Sequence, residues 1–167
     1  MIILYYRICF EEGKMELNHF TATGIVFNKN KQILMIFHKK LNVWLPPGGH
    51  IEDNELPTNA VIREIFEETG IKVEIFPIEN KILTLSNNDC KELEKPFVLL
   101  LENIEGNWKH NHIDMVFICK ALNENFKLQK TEVNDIGWFD IDHVKQLKTF
   151  ENVKQSIEKA FEIINKI

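Results

Sequence analysis

Residues 44–71 read WLPPGGHIEDNELPTNAVIREIFEETGI, and this stretch decides how the rest of the chain is read. Two prolines and two glycines lead into six carboxylates and one arginine. The Pro-Pro-Gly-Gly core predicts a structured loop over Trp44–Asn54. From Pro57 to Thr69 the pattern is helical: proline suits the first turn, and Gly70 suits the left-handed position that ends a helix. Residues three and four apart share a helical face, so Glu64, Glu67 and Glu68 project together, with the small Ala60 one turn before Glu64. Like charges at that spacing weaken a helix by a few tenths of a kcal/mol per pair, at about 0.2–0.5. Glu67 and Glu68 also occupy the last turn, where the helix dipole disfavours anions.

Local helix stability therefore did not select these residues. A solvated acidic face is the usual fate of a Glu-rich helix, but such faces are normally laced with counter-charges. Arg63 is the only lysine or arginine between Leu41 and Ile71. A cluster of hard oxygen donors makes physical sense around Mg²⁺ or Mn²⁺, shared with the phosphates of a ligand.

Working outward, the runs 20–27 (FTATGIVF) and 31–38 (KQILMIFH) predict a hairpin-like pair of strands. Further strands are expected at 71–76, 81–86, 96–103, 112–122 and 136–141. The apolar spacing of Val144, Leu147, Phe150, Val153, Ile157, Phe161 and Ile164 predicts a helix over about 142–164. One early helix, many strands and a final helix predict an α+β or α/β sandwich, with a mixed β-sheet between helices.

The 167 residues suit a single domain over 1–167, with 1–14 as a candidate N-terminal extension because Met15 begins a more conventional opening. At 44% hydrophobic and 27% charged residues the chain can bury an ordinary core. A formal charge of −5 argues against broad binding to a nucleic-acid polymer, though not against one nucleotide held through a metal ion. Cys9, Cys90 and Cys119 have no paired spacing and read as reduced thiols of a cytoplasmic protein. The apolar opening MIILYYRICF is too short to span a bilayer, and no membrane association is expected.

The stretch Gly49–Ile71 resembles the signature of the Nudix hydrolases, G-x5-E-x7-R-E-U-x-E-E-x-G-U with U aliphatic. Gly49, Glu55, Arg63, Glu64, Ile65, Glu67, Glu68, Gly70 and Ile71 match every fixed position. The resemblance implies the Nudix (MutT-like) fold and hydrolysis of a nucleoside diphosphate linked to another group, with Mg²⁺ or Mn²⁺. By matched position Glu64, Glu67 and Glu68 are the implied metal ligands, with the Gly49 carbonyl completing the set. Arg63 is implied to orient the carboxylates, while Glu55 fixes the loop and Gly70 ends the helix. The resemblance implies as general base a box glutamate, Glu67 or Glu64, or a residue outside the box, with Glu132 the first candidate and Glu102 and Glu105 following. No serine or cysteine with an adjacent base is visible, in keeping with direct attack by water.

Most substrate markers of family subgroups are absent. There is no proline about fifteen residues beyond the box, no tyrosine after Tyr6, and neither the coenzyme A nor the NADH motif. Elimination leaves a nucleoside triphosphate, modified or not. In HNHIDMVF (110–117), His110, His112 and Asp114 alternate onto one face of a strand. A transition-metal site is open on those residue types, but His112 and Asp114 lining a substrate cleft is the favoured reading. Trp44 and Phe139 are candidates for stacking on a base. Two alternatives stay in play: a non-catalytic nucleotide-sensing domain, and an isoprenoid diphosphate isomerase-like enzyme, whose essential cysteine has no counterpart near this loop or helix. The partner expected is a small nucleotide, and the protein is expected to be a monomer or homodimer.

Overall fold

A computed structural model describes residues 17–79, 83, 89–104, 106, 109–127 and 133–166. The expected strand at 81–86 falls almost wholly outside these residues, as do the extension 1–14, Glu105 and Glu132. The described elements are β1 (Leu17–Phe27), β2 (Ile33–His38), β3 (Val43–Leu45), β4 (Gly48–His50), α1 (Pro57–Thr69) and β5 (Val73–Ile75). After these come β6 (Val98–Asn103), β7 (His110–Ala121), β8 (Val133–Phe139), α2 (Ile141–Gln146) and α3 (Glu151–Ile164).

The strands form one mixed sheet. Its main path runs β3-β2-β1-β7-β5, with β4 also on β1, β6 on β7 and β8 on β2. At its centre β1 and β7 lie parallel over their whole lengths, placing His19 opposite His112 and Thr21 opposite Asp114. This pairing joins segments some ninety residues apart, and it carries the site described below. β4 runs antiparallel to β1, with Thr21 opposite His50 and Thr23 opposite Gly48.

Alternation along β1 and β7 sorts side chains to two cores. Ala22, Val26, Phe117 and Cys119 pack against Ala60, Val61 and Ile65 of α1. Ile25, Phe27, Val116 and Ile118 pack against Val144 of α2 and Ile157, Ala160 and Ile164 of α3. Full burial of each large aliphatic side chain contributes about 1.5–3 kcal/mol. The sheet is thus sandwiched between helices, as the sequence pattern predicted.

Helix α1 has the predicted bounds. Pro57 opens it, and Gly70 closes it at φ 71°, donating its N–H to the Phe66 carbonyl at 2.8 Å. Its last turn carries no basic residue, so the two glutamates there face the dipole without local compensation.

Two expectations need correction. The stretch 44–54 includes the end of β3, which pairs with β2, and all of β4, whose Gly48 and Gly49 pair with β1 as a strand. The helix over 142–164 is two helices: Leu147 (ψ 147°) and Phe150 (ψ 152°) are extended, and the Lys148 carbonyl accepts the Trp44 N–H at 2.9 Å. Leu147 and Val153 still pack on the same core, so the apolar spacing survives the break.

Candidate active site

Arg63 organises the acidic face of α1. Its guanidinium forks onto Glu55, with Nε donating to Oε1 and Nη2 to Oε2, each at 2.8 Å. Nη1 donates to Glu64 Oε1 at 2.9 Å and to Glu67 Oε2 at 3.4 Å, and Nη2 also reaches the His50 carbonyl at 3.0 Å. One side chain therefore ties the loop, the helix and β4 together, using the planar donor geometry that lysine lacks. The hydrogen bond to Glu55 is the main cause holding the Arg63 pKa above its ordinary value. The same bond lowers Glu55, against the opposing effect of burial.

Glu64 and Glu68 are buried at 5% exposure each, while the Glu67 side chain stays 43% exposed. Two of the three carboxylates of the acidic face are thus buried, and the third meets solvent. Glu68 Oε2 accepts the Gly48 N–H at 3.0 Å. At Gly49 an added Cβ would stand 2.6 Å from the Glu64 carboxyl carbon, and at Gly48 it would stand 2.7 Å from the Ala22 carbonyl oxygen and the Thr23 Cα. The absence of side chains lets β4 lie close on β1 and lets the Glu64 carboxylate approach its backbone. Glu64 and Glu68 accordingly meet consecutive residues of one strand.

On the α3 side of the sheet, Asp114 Oδ1 accepts the hydroxyls of Thr21 at 2.9 Å and Thr23 at 3.0 Å. Burial pushes Asp114 up, and these two hydrogen bonds oppose the shift. Burial first, and then the Asp114 charge, push Glu102 up as well, while Asn152 of α3 donates to Glu102 Oε1 at 2.9 Å. Trp44 and Phe139 come together edge-to-face with ring centroids 4.9 Å apart, packed on the α3-side core. An open cleft of about 630 Å³ is lined by His19, His50, Glu52, Asp53, Glu55 and Met115, among others.

His112 sits across from His19, and His50 closes on both, so the H-x-H segment meets two histidines that the sequence reading did not single out. A signal for His50 was its place directly after Gly49; for His19 there was none, since only the long-range β1–β7 pairing brings it in. Cys119 is buried, its thiol pushed up to about 12 by desolvation, which suits a structural residue. Among the described residues no helix is long and apolar enough to cross a membrane.

A buried pair of carboxylates on a Gly-Gly strand, one of them held by Arg63 and the other by the Gly48 N–H, lies within the motif at Gly49–Ile71, and the NUDIX domain family matches residues 17–161. The chain belongs to the Nudix hydrolase family. These enzymes are pyrophosphohydrolases acting on phosphoanhydride bonds, and they generally use divalent metals. A Nudix-family hydrolase of Clostridium perfringens is 28% identical, with a TM-score of 0.73, covering 87% of this chain and 97% of that one. The m7GpppN-mRNA hydrolase NUDT17 of Danio rerio is 31% identical over 110 residues, 62% of this chain and 34% of the relative. A MutT-like protein of Streptomyces ambofaciens is 34% identical over 74 residues, 44% of this chain and 48% of the relative. The Nudix chain therefore spans between about a third and a half of the length of these curated relatives.

Proposed function

We propose that the protein hydrolyses the diphosphate linkage of a nucleoside diphosphate derivative with Mg²⁺, and that its substrate is a nucleoside triphosphate, released as monophosphate and pyrophosphate. The observation that supports this most directly is the convergence of Glu64 and Glu68 on the Gly48–Gly49 backbone, with Glu67 beside them on Arg63. The donor set fits the ion: all are hard oxygens, and the close approach of Glu64 to Gly49 leaves no room for a side chain between carboxylate and main chain. Glu64, Glu67, Glu68 and the Gly49 carbonyl are the residues that would hold it. When bound, Mg²⁺ polarises phosphate oxygens and offsets the charge that builds on them.

The chain's own residues do the rest. Arg63 holds Glu55, Glu64 and Glu67 in fixed register. Glu67, the box carboxylate open to water, accepts the proton of the attacking water as its oxygen bonds to phosphorus. The anhydride P–O bond breaks, and pyrophosphate leaves with the electron pair. Trp44 and Phe139 are proposed to hold the base, and His112 and Asp114 to line the substrate cleft. We further read the chain as one cytoplasmic domain.

The test is a substrate panel with Mg²⁺: nucleoside triphosphates, sugar nucleotides, dinucleotides and capped RNA, with products separated as phosphate, pyrophosphate and monophosphate. Capped RNA belongs in it because of the name of the Danio rerio relative. Pyrophosphate from a triphosphate is the expected result, and no turnover on any substrate overturns the reading. Glu67→Gln should lower turnover by orders of magnitude with an unchanged Tm; full activity would remove Glu67 from the chemistry.

A further inference from the structure

Four of the protein's six histidines meet at one place on the sheet. His19 lies on β1, His50 on β4, and His110 and His112 on β7. Ring centroids are 4.9 Å apart for His50 and His112, 5.2 Å for His19 and His50, and 6.1 Å for His19 and His112. One ring nitrogen from each of these three lies within 4.8 Å of the others. His110 flanks them, its Nε2 standing 3.4 Å from His19 Nδ1.

The hydrogen bond between His110 and His19 accounts for part of the cluster but not for His112. His112 Nε2 is buried and makes no hydrogen bond, a cost of about 1–3 kcal/mol for a buried polar atom. Burial, and then the neighbouring His50, His110 and His19, lower the His112 pKa to about 4. Zn–N bonds of about 2.0–2.1 Å place tetrahedral nitrogen ligands about 3.4 Å apart, so ring rotations of the order of 1 Å close the set.

We propose that His19, His50 and His112 form a nitrogen-donor site for a divalent transition-metal ion of the zinc type, separate from the carboxylates of α1. Imidazole selects such ions, whereas carboxylate and carbonyl oxygens select magnesium. The two donor sets are neighbours through one residue: the His50 carbonyl binds Arg63 while its ring joins the histidines. His19 and His50 also line the open cleft. This inference does not depend on the proposed hydrolysis.

The full chain, stripped with EDTA and dialysed, is titrated with Zn²⁺ by calorimetry and with Co²⁺ by visible absorption. One equivalent of Zn²⁺ should bind, and Co²⁺ should give the d–d bands of a low-coordinate nitrogen site. His19→Gln and His112→Gln should each weaken Zn²⁺ by at least about 100-fold, beyond the 10–100-fold typical of changes around a metal's ligands. Glu67→Gln should leave Zn²⁺ affinity unchanged. The wild-type Co²⁺ spectrum decides the matter even if a histidine variant fails to fold: no such bands overturn the site. Histidine variants that bind as wild type, or loss of zinc in Glu67→Gln, overturn it too, the latter by placing the ion on the carboxylates.

Discussion

Adjacent glycines in β4 should respond to the same substitution in opposite ways. In Gly49→Ala the new methyl would lie 2.6 Å from the Glu64 carboxyl carbon and oxygen. Ordinary contact begins near 3.4 Å, so the carboxylate must retreat by roughly 0.8 Å, more than the ~0.5 Å that a functional group tolerates. The obstacle is the far end of a flexible side chain, so the fold can yield there without strain. A displacement of about 1 Å at a catalytic centre costs about 100-fold in rate. Gly49→Ala should therefore lose about 100-fold in turnover with little change in Tm. In Gly48→Ala the methyl meets main chain, 2.7 Å from the Ala22 carbonyl oxygen and from the Thr23 Cα. Overpacking against backbone costs about 1–3 kcal/mol, or roughly 4–8 °C in Tm at a central 2 kcal/mol for a chain of this size. Thermal melts and Mg²⁺-dependent kinetics on both variants separate the effects. If Gly49→Ala keeps wild-type turnover, the Glu64 carboxylate is not where the chemistry occurs.

Two further predictions follow from single contacts. The Arg63 hydrogen bond holds Glu55 below its ordinary value of 4.5, so its stabilisation is complete above that pH and is lost as the pH falls through the lowered value. The Tm gap between wild type and Glu55→Gln should be widest above pH 4.5 and close in more acid solution; a constant gap would mean that the Glu55 charge contributes nothing. Asp114→Ala leaves the Thr21 and Thr23 hydroxyls without their acceptor and should cost about 1–3 kcal/mol by denaturant unfolding. Asp114→Asn, which keeps an acceptor oxygen and removes the charge acting on Glu102, should cost less and lower the Glu102 pKa in an NMR titration.

The helix and the clustering of its glutamates were legible because their signals are local. Pro57, Gly70 and the unfavourable spacing of Glu64, Glu67 and Glu68 all lie within one short segment. The strands were legible from period-two alternation, but β3 and β4 were not, since each is three residues long and β4 begins with two glycines, too little side-chain pattern to read. The break at Leu147–Phe150 was hidden for a different reason: both halves keep their apolar residues on one core, so periodicity runs through it. His19 and the Asp114–Thr21–Thr23 contact depend on the parallel β1–β7 register, information that no local window contains. Even the position of Glu68 on the Gly48 N–H, unlike that of Glu64 and Glu67 on Arg63, needed the fold.

The charge balance at α1 bears on the proposed metal site. Glu55, Glu64, Glu67 and Glu68 bring four formal negative charges to the one formal positive charge of Arg63. Two of the carboxylates are buried, where repulsion is screened less than at the surface. A divalent cation that binds only the folded chain relieves this strain and stabilises by RT ln(1 + [L]/Kd), about 2.7 kcal/mol at a hundredfold excess over Kd. For a chain of this size that is roughly 5–11 °C in Tm, from about 2–4 °C per kcal/mol. Mg²⁺ should therefore raise the Tm saturably, and by less in Glu64→Gln. Sodium chloride at matched ionic strength supplies the comparison, because screening is blind to valence once ionic strength is fixed. An equal rise with sodium would show that the carboxylates repel one another without holding an ion between them.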